Sequence, residues 1–448
     1  MNKAVHSARR ILIIAAVAGL ALAAIHALPK GDAHKPVTRR LMRLIERNPR
    51  IGDLLSASIA KAKQANPDPK TNPAQSLQEY FDFIDRASEL IPREVLEHPS
   101  DLTREQILQS ICYFYFLVDQ PLDELEDKGL FDNTLQYDPA FSGWLRDFAG
   151  TWGKFLDTQA SWGEAYYREF LKDPRFGLQR GWYEDPSRWT TFNQFFSRHL
   201  RSPAARPIAL PENPAVVVSP ADSVPQGLWA IDKDSSIHVA SGLKVKLVTY
   251  FNVADLLGKD CAYKEAFAGG VLTHTFLNVN DYHRFHFAVG GTVKDMGILQ
   301  RNVALEVAWN PGLGRYVPID STGWQFSQTL GYVIVDTGGY GLVALIPMGM
   351  AQVSSVNFEK DVMVGSIHKK GDMLGTFLFG GSDFVMLFQK KAGFEILAPA
   401  EHKLLTREDS DQGHAVVAYK HLLMGEKYGL MKGPPLRTRQ GEPAHERP

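Results

Sequence analysis

The chain has 448 residues, 44% of them hydrophobic and 22% charged, a globular composition with room for two or three domains and a sizeable core. A formal net charge of -1 gives no electrostatic ground for a nucleic-acid partner. Two cysteines, Cys112 and Cys261, stand in unrelated contexts without a CxxC spacing, which argues against a disulfide framework or a cysteine-ligated zinc site.

In chain order, residues 1–36 read as a signal peptide or a membrane anchor: Lys3, Arg9 and Arg10 precede the apolar run Ile11 to Leu28, and Ala21-Leu22-Ala23 would suit a signal peptidase. Either reading expects a membrane-associated or exported protein of the cell envelope. Residues 37–205 predict a helical domain. Thr103 with Gln106 has capping-box spacing ahead of an apolar run that stops at Pro121. Trp144, Phe148, Trp152 and Phe155 recur at helical spacing, a stripe best read as core packing.

Composition changes at Arg206-Pro207, and residues 206–430 predict a mostly β domain. GLKVKLVTY alternates as a half-buried strand, and GYVIVDTGGYGLVALIPMG reads as a hairpin turning at Thr337–Gly341. VLTHTFLNVNDYHRFHFAVGGTVKD gives two more strands, and FLFGGSDFVMLF reads as a buried hairpin interrupted by Gly380-Gly381. Residues 431–448 are proline-rich and polar, as in a disordered tail. The fold class is therefore α+β.

Two segments can carry chemistry. Val218-Ser-Pro-Ala-Asp-Ser223 places an acid after an apolar strand. Asp281-Tyr-His-Arg-Phe-His286 sets two histidines three residues apart, which in an extended chain point to opposite faces and can serve two tasks. No acidic or cysteine ligand completes a metal set, and no Walker loop, dinucleotide fingerprint or GxSxG elbow occurs.

Taken together, VSPADS, DYHRFH with AVGGTV, MGMAQVSSV, KKGDMLGTFLFGGSDFVMLF and LLMGEKYG resemble, in order, the segments of the phosphatidylserine decarboxylase family of pyruvoyl-dependent enzymes. WGKFLDT, RGWYED and FNQFFSRHLRSPAARPI are similar to the N-terminal region of a subgroup that includes soluble aromatic amino-acid decarboxylases such as the fungal tryptophan decarboxylase. The resemblance implies an autocatalytically processed zymogen, a carboxy-lyase cut between Gly381 and Ser382. Ser382 becomes a covalent pyruvoyl group that forms a Schiff base with substrate, without pyridoxal phosphate or metal.

It also implies that His286 is the base for the Ser382 hydroxyl, Asp222 the orienter of that base, and His283 a participant in decarboxylation. Asp383 replaces a more usual threonine. Beside the pyruvoyl its charge would bear on substrate choice, and Tyr282 is a further residue expected near substrate. The first expectation is conversion of phosphatidylserine to phosphatidylethanolamine plus CO2 in phospholipid biosynthesis, at a membrane surface, by a homodimer of processed chains. The alternatives are decarboxylation of a free aromatic amino acid, an uncleaved serine hydrolase, and a non-enzymatic lipid-binding remnant.

Overall fold

The computed structural model describes residues 34–93, 106–125, 133–238, 250–319, 327–350, 355–405 and 416–433. The Ile11–Leu28 run, Thr103, nearly all of GLKVKLVTY, residues 351–354 of MGMAQVSSV and the tail beyond Gly433 lie outside the described residues. No helix among the described residues is long and apolar enough to cross a membrane.

Proline opens the first two helices, α1 (Pro36–Arg47) and α2 (Pro49–Ala65), where its fixed φ suits the first turn and its missing N–H costs nothing. In α3 (Leu77–Ala87) the Ser76 hydroxyl accepts from the Glu79 N–H. The apolar helix α4 (Gln106–Phe116) is followed by α5 (Pro139–Leu156), which Asp138 caps by accepting from the N–H groups of Ala140 and Phe141. Phe141, Trp144, Leu145, Phe148 and Trp152 of α5 form its buried face, so the aromatic stripe is core, with Phe155 half-buried at its edge. Both indoles are satisfied: Trp144 donates to the Val37 carbonyl and Trp152 to the Leu90 carbonyl. Two shorter helices follow, α6 (Glu164–Leu171) and α7 (Phe192–Phe196), and one more, α8 (Val253–Leu257), lies within the β region.

The strands that position the site are β1 (Val216–Val218), β2 (Val224–Ala230), β3 (Val271–Leu277), β4 (Arg284–His286), β5 (Gly291–Leu299), β6 (Thr329–Asp336), β7 (Leu342–Met350), β8 (Ile367–His368), β9 (Met373–Thr376), β10 (Gly381–Phe388), β11 (Phe394–Ile396) and β12 (Lys427–Met431). Seven form one antiparallel sheet in the order β8-β5-β6-β7-β10-β3-β2. The hairpin expected around Thr337–Gly341 is β6-β7. Because side chains alternate along a strand, each face of this sheet carries its own apolar cluster. One face (Val333, Val343, Leu345, Phe384, Met386) packs against β4, β9 and the β1-β12-β11 sheet. The other (Ile334, Ala344, Ile346, Val385, Leu387) packs against α8.

FLFGGSDFVMLF is not the hairpin its Gly-Gly pair suggests. β9 pairs with β4 in a small sheet, whereas β10 pairs with β7 and β3 in the large one. Residues 377–380 hand the chain from one sheet to the other, and Gly380 makes the passage at φ 151, a backbone angle that side-chain-bearing residues rarely adopt.

Helical and β parts share one core. The cluster built by α1 to α7 also contains Tyr282, Val303, Leu305, Val307, Tyr316 and Phe379. Tyr316 stands between Tyr113 and Phe116, and its hydroxyl accepts from the Asn66 amide at 2.8 Å. Each such buried aromatic contributes about 1.5–3 kcal/mol, so the two parts are joined by packing as well as by chain.

Candidate active site

The chemistry-bearing segments converge although they are far apart in sequence. His286 N–H donates to the Pro220 carbonyl at 2.8 Å and Val218 N–H to the Ala288 carbonyl at 3.1 Å, which ties the loop carrying Asp222 to β4. LLMGEKYG laces onto the same loop: Ser219 N–H donates to the Glu426 carbonyl, Gly425 N–H to the Ser219 carbonyl, and Ser223 and Leu422 exchange both backbone bonds.

His286 is held by two partners. Its Nδ1 lies 2.9 Å from the Gly371 carbonyl, an acceptor only, so Nδ1 carries the proton. Nε2 is then the basic nitrogen and accepts from the Tyr282 hydroxyl at 3.2 Å. Burial pushes the ring's pKa down to about 4, which keeps it neutral at physiological pH. His283 is neutral for the same reason, its pKa lowered to about 3 by burial. Its Nδ1 donates to the Asp281 carbonyl at 2.9 Å, its ring stacks on Phe196 at 3.9 Å between centroids, and its buried Nε2 has no hydrogen-bond partner among the described residues.

Ser382 is the second residue of β10, opposite Gly349 and Leu277. Its hydroxyl is buried and, among the described residues, without a hydrogen-bond partner. An orphaned buried hydroxyl costs about 1–3 kcal/mol, an arrangement a purely structural serine would avoid.

Two expectations are corrected. The Asp222-His286-Ser382 chain of hydrogen bonds is not formed. Asp222 instead makes a buried bidentate pair with Arg206, Nε to Oδ1 at 2.8 Å and Nη2 to Oδ2 at 2.5 Å, and Oδ1 also accepts from the Met424 N–H at 2.8 Å. The guanidinium offers charge and two parallel donors, so it outcompetes a neutral imidazole for the carboxylate. Arg206 in turn lies over the Trp182 ring and within 5.9 Å of the Tyr282 ring, so Asp222 reaches His286 through Arg206 and Tyr282.

The second correction concerns Asp383. Alternation along β10 turns its side chain to the face opposite that of Ser382, among Val385 and Leu387, and not to the Ser382 hydroxyl. There its Oδ1 lies 3.2 Å from His274 Nε2, off the line a hydrogen bond requires, and both oxygens are otherwise unpartnered among the described residues.

Asp281 and His421 form a further pair, Oδ1 to Nε2 at 2.8 Å, which holds the loop bearing His283 to the C-terminal segment and raises the pKa of His421. Sequence reasoning missed Arg206, Arg198 and Asn193. All three lie in FNQFFSRHLRSPAARPI, and the signal for them was the density of polar groups among aromatics. Arg198 is buried and donates to the carbonyls of Asn280 and Asp281 at 3.0 Å, fixing the turn before His283. No group of three or more His, Cys, Asp or Glu side chains among the described residues is placed to hold a metal ion.

Residues 192–409 match the family model described as phosphatidylserine decarboxylase. The chain is similar to the decarboxylase iboD of Amanita muscaria, 29% identical over 283 residues, covering 57% of this chain and 78% of that protein. It is also similar to phosphatidylserine decarboxylase proenzyme 2 of Oryza sativa subsp. japonica, 33% identical over 207 residues, 45% of this chain and 30% of the rice protein. To the phosphatidylserine decarboxylase proenzyme of Vibrio vulnificus (strain YJ016) it is 28% identical over 260 residues, 54% of this chain and 85% of that one. The chain thus spans most of the length of two of these relatives and under a third of the rice protein.

Proposed function

We propose that the chain is a carboxy-lyase of the phosphatidylserine decarboxylase family, whose model matches residues 192–409, and a zymogen that cuts itself between Gly381 and Ser382 to become a pyruvoyl-dependent decarboxylase. The observation that carries this reading is the Ser382 hydroxyl, buried and without a hydrogen-bond partner among the described residues, directly after a glycine pair that bends the chain. A pyruvoyl group made there supplies an electron sink for the carbanion left when CO2 departs. Ser382 is its precursor, and its position at the start of a central strand fixes the group within the core.

His286 is the base for the Ser382 hydroxyl, either directly through Nε2 or through the Tyr282 hydroxyl that now occupies that nitrogen. Asp222 keeps Arg206 in place beside Tyr282, so its role is positioning. His283 offers an unprotonated Nε2, its Nδ1 donating to the Asp281 carbonyl, and it can take up a proton there as an imidazolium that burial disfavours and so gives back readily. Residues 37–205 act as an accessory domain and residues 206–430 as the catalytic domain.

The substrate we propose is phosphatidylserine, met at a membrane surface to which the apolar run Ile11–Leu28 brings the enzyme, with two processed copies forming a homodimer. A free aromatic amino acid is the second reading, favoured by the resemblance of WGKFLDT, RGWYED and FNQFFSRHLRSPAARPI to the N-terminal region of soluble aromatic amino-acid decarboxylases. Measuring CO2 released from carboxyl-labelled phosphatidylserine in vesicles and from labelled tryptophan separates the two. Release from the lipid alone is the expected result. Release from tryptophan alone would replace the lipid reading with the second, and release from neither would overturn both.

A further inference from the structure

The approach to the scissile bond is held by the helical domain. Phe379, two residues before Gly381, is 1% exposed and meets three rings edge-on: Trp152 of α5 at 5.3 Å, and Phe192 and Phe196 of α7 each at 5.1 Å. Its N–H is directed at the Asn193 Oδ1 at 3.4 Å. Asn193 is itself fixed to α5, its amide donating to Asp157 Oδ1 at 2.8 Å and to the Gly153 carbonyl at 3.3 Å. The two preceding N–H groups are pinned as well, Phe377 to the His283 carbonyl at 3.0 Å and Leu378 to the Ser355 hydroxyl at 3.3 Å. Three consecutive amides are therefore held by three separate elements, and Gly380 alone is left to bend. Phe196, which touches Phe379 on one side, stacks on His283 on another.

Phe379 lies in the cluster of the helical domain and not in either cluster of the large sheet. We propose that α5 and α7 form a clamp that sets the Gly381 carbonyl for attack, with Phe379 and Asn193 as positioning residues of self-cleavage; this rests on the reading of Ser382 as the pyruvoyl precursor. In that reaction Ser382 Oγ bonds to the Gly381 carbonyl carbon, the Gly381–Ser382 C–N bond breaks, and the nitrogen takes the hydroxyl proton, leaving an ester. Loss of the Cα proton of residue 382 then expels the Gly381 carboxylate and leaves dehydroalanine, which water converts to the ketoacyl group with release of ammonia. Only the first step needs oxygen and carbonyl carbon at about 3–3.5 Å, and an error of about 1 Å there costs on the order of a hundredfold. The clamp acts on that step.

The test follows cutting of freshly purified, full-length Phe379→Leu and Asn193→Ala proteins by intact mass over time, with and without hydroxylamine, which captures the ester as a Gly381 hydroxamate and leaves an unmodified Ser382 terminus. Thermal midpoints are measured alongside. The two variants are independent, one removing ring contacts and the other a hydrogen bond. The expected result is cutting slowed by about tenfold or more in both, with midpoints within a few degrees of wild type and no acceleration by hydroxylamine, because ester formation has become limiting. Cutting at the wild-type rate would overturn the clamp. So would a slow cut that hydroxylamine restores, which would place the defect in elimination. A slowing that appears only in a variant whose midpoint collapses, while the other cuts normally, would also overturn it. A wild-type chain that never cuts would instead remove the pyruvoyl reading itself, a result distinct from all of these.

Discussion

His283 and His286 stand three residues apart, and the structure gives them different neighbours, as their spacing in an extended segment implies: Phe196 and the Asp281 carbonyl for one, Tyr282 and the Gly371 carbonyl for the other. That much was legible because side-chain direction follows from strand period. Which groups would hold them was not, since the partners come from residues 196, 282 and 371, and the Asp222 partner Arg206 looked in sequence like a mere change of composition. Burial has a measurable consequence. Both histidines are depressed, to about 3 and about 4, below the unfolded value of about 6.5. Their contribution to stability is therefore complete above pH 6.5 and is lost as pH falls toward those values, because the unfolded chain then binds more protons. His421, raised by Asp281, has the opposite sign: its contribution is present below 6.5 and is lost as pH rises through its folded value. Denaturant midpoints should fall from pH 7 to pH 5, and His283→Phe should shrink that fall. Equal midpoints at the two pH values would contradict the assignment of buried neutral rings.

At the level of elements, alternation and turn chemistry foretold the β6-β7 hairpin, and helical spacing foretold the buried face of α5, because both periods are local properties of the chain. The reading failed at FLFGGSDFVMLF, where Gly-Gly marks a passage between two sheets. A turn and a hand-over need the same backbone freedom, so the sequence does not distinguish them. Asp383 was misplaced for a related reason: its neighbourhood in sequence is Ser382, but a strand sends adjacent side chains to opposite faces. The lead-in strand β9 carries its own constraint. A Cβ on Gly375 would lie 2.2 Å from the Asn357 carbonyl oxygen and 2.7 Å from the Phe285 ring, both fixed by pairing within the small sheet. Gly375→Ala should destabilise the protein by about 1–3 kcal/mol through overpacking, read as a lower midpoint in chemical denaturation. A midpoint equal to wild type would show that β9 is looser than its pairing indicates.

For the whole molecule, the position of β10 decides what a cut does. On the proposed cleavage this strand would begin the short chain, 382–448, yet it lies between β7 and β3, both of which would belong to the long chain. β12 of the short chain likewise pairs with β1 of the long one. Two processed chains should therefore elute as one particle under native conditions and separate only in denaturant. Independent elution of the fragments would contradict the sheet order. Consumption of Ser382 to make the cofactor is read from the intact mass of the purified protein. The predicted result is two chains, the shorter beginning at residue 382 with a ketoacyl group in place of an amino terminus. A single chain of 50.0 kDa, or that mass less an N-terminal leader, with an unmodified Ser382 would contradict it.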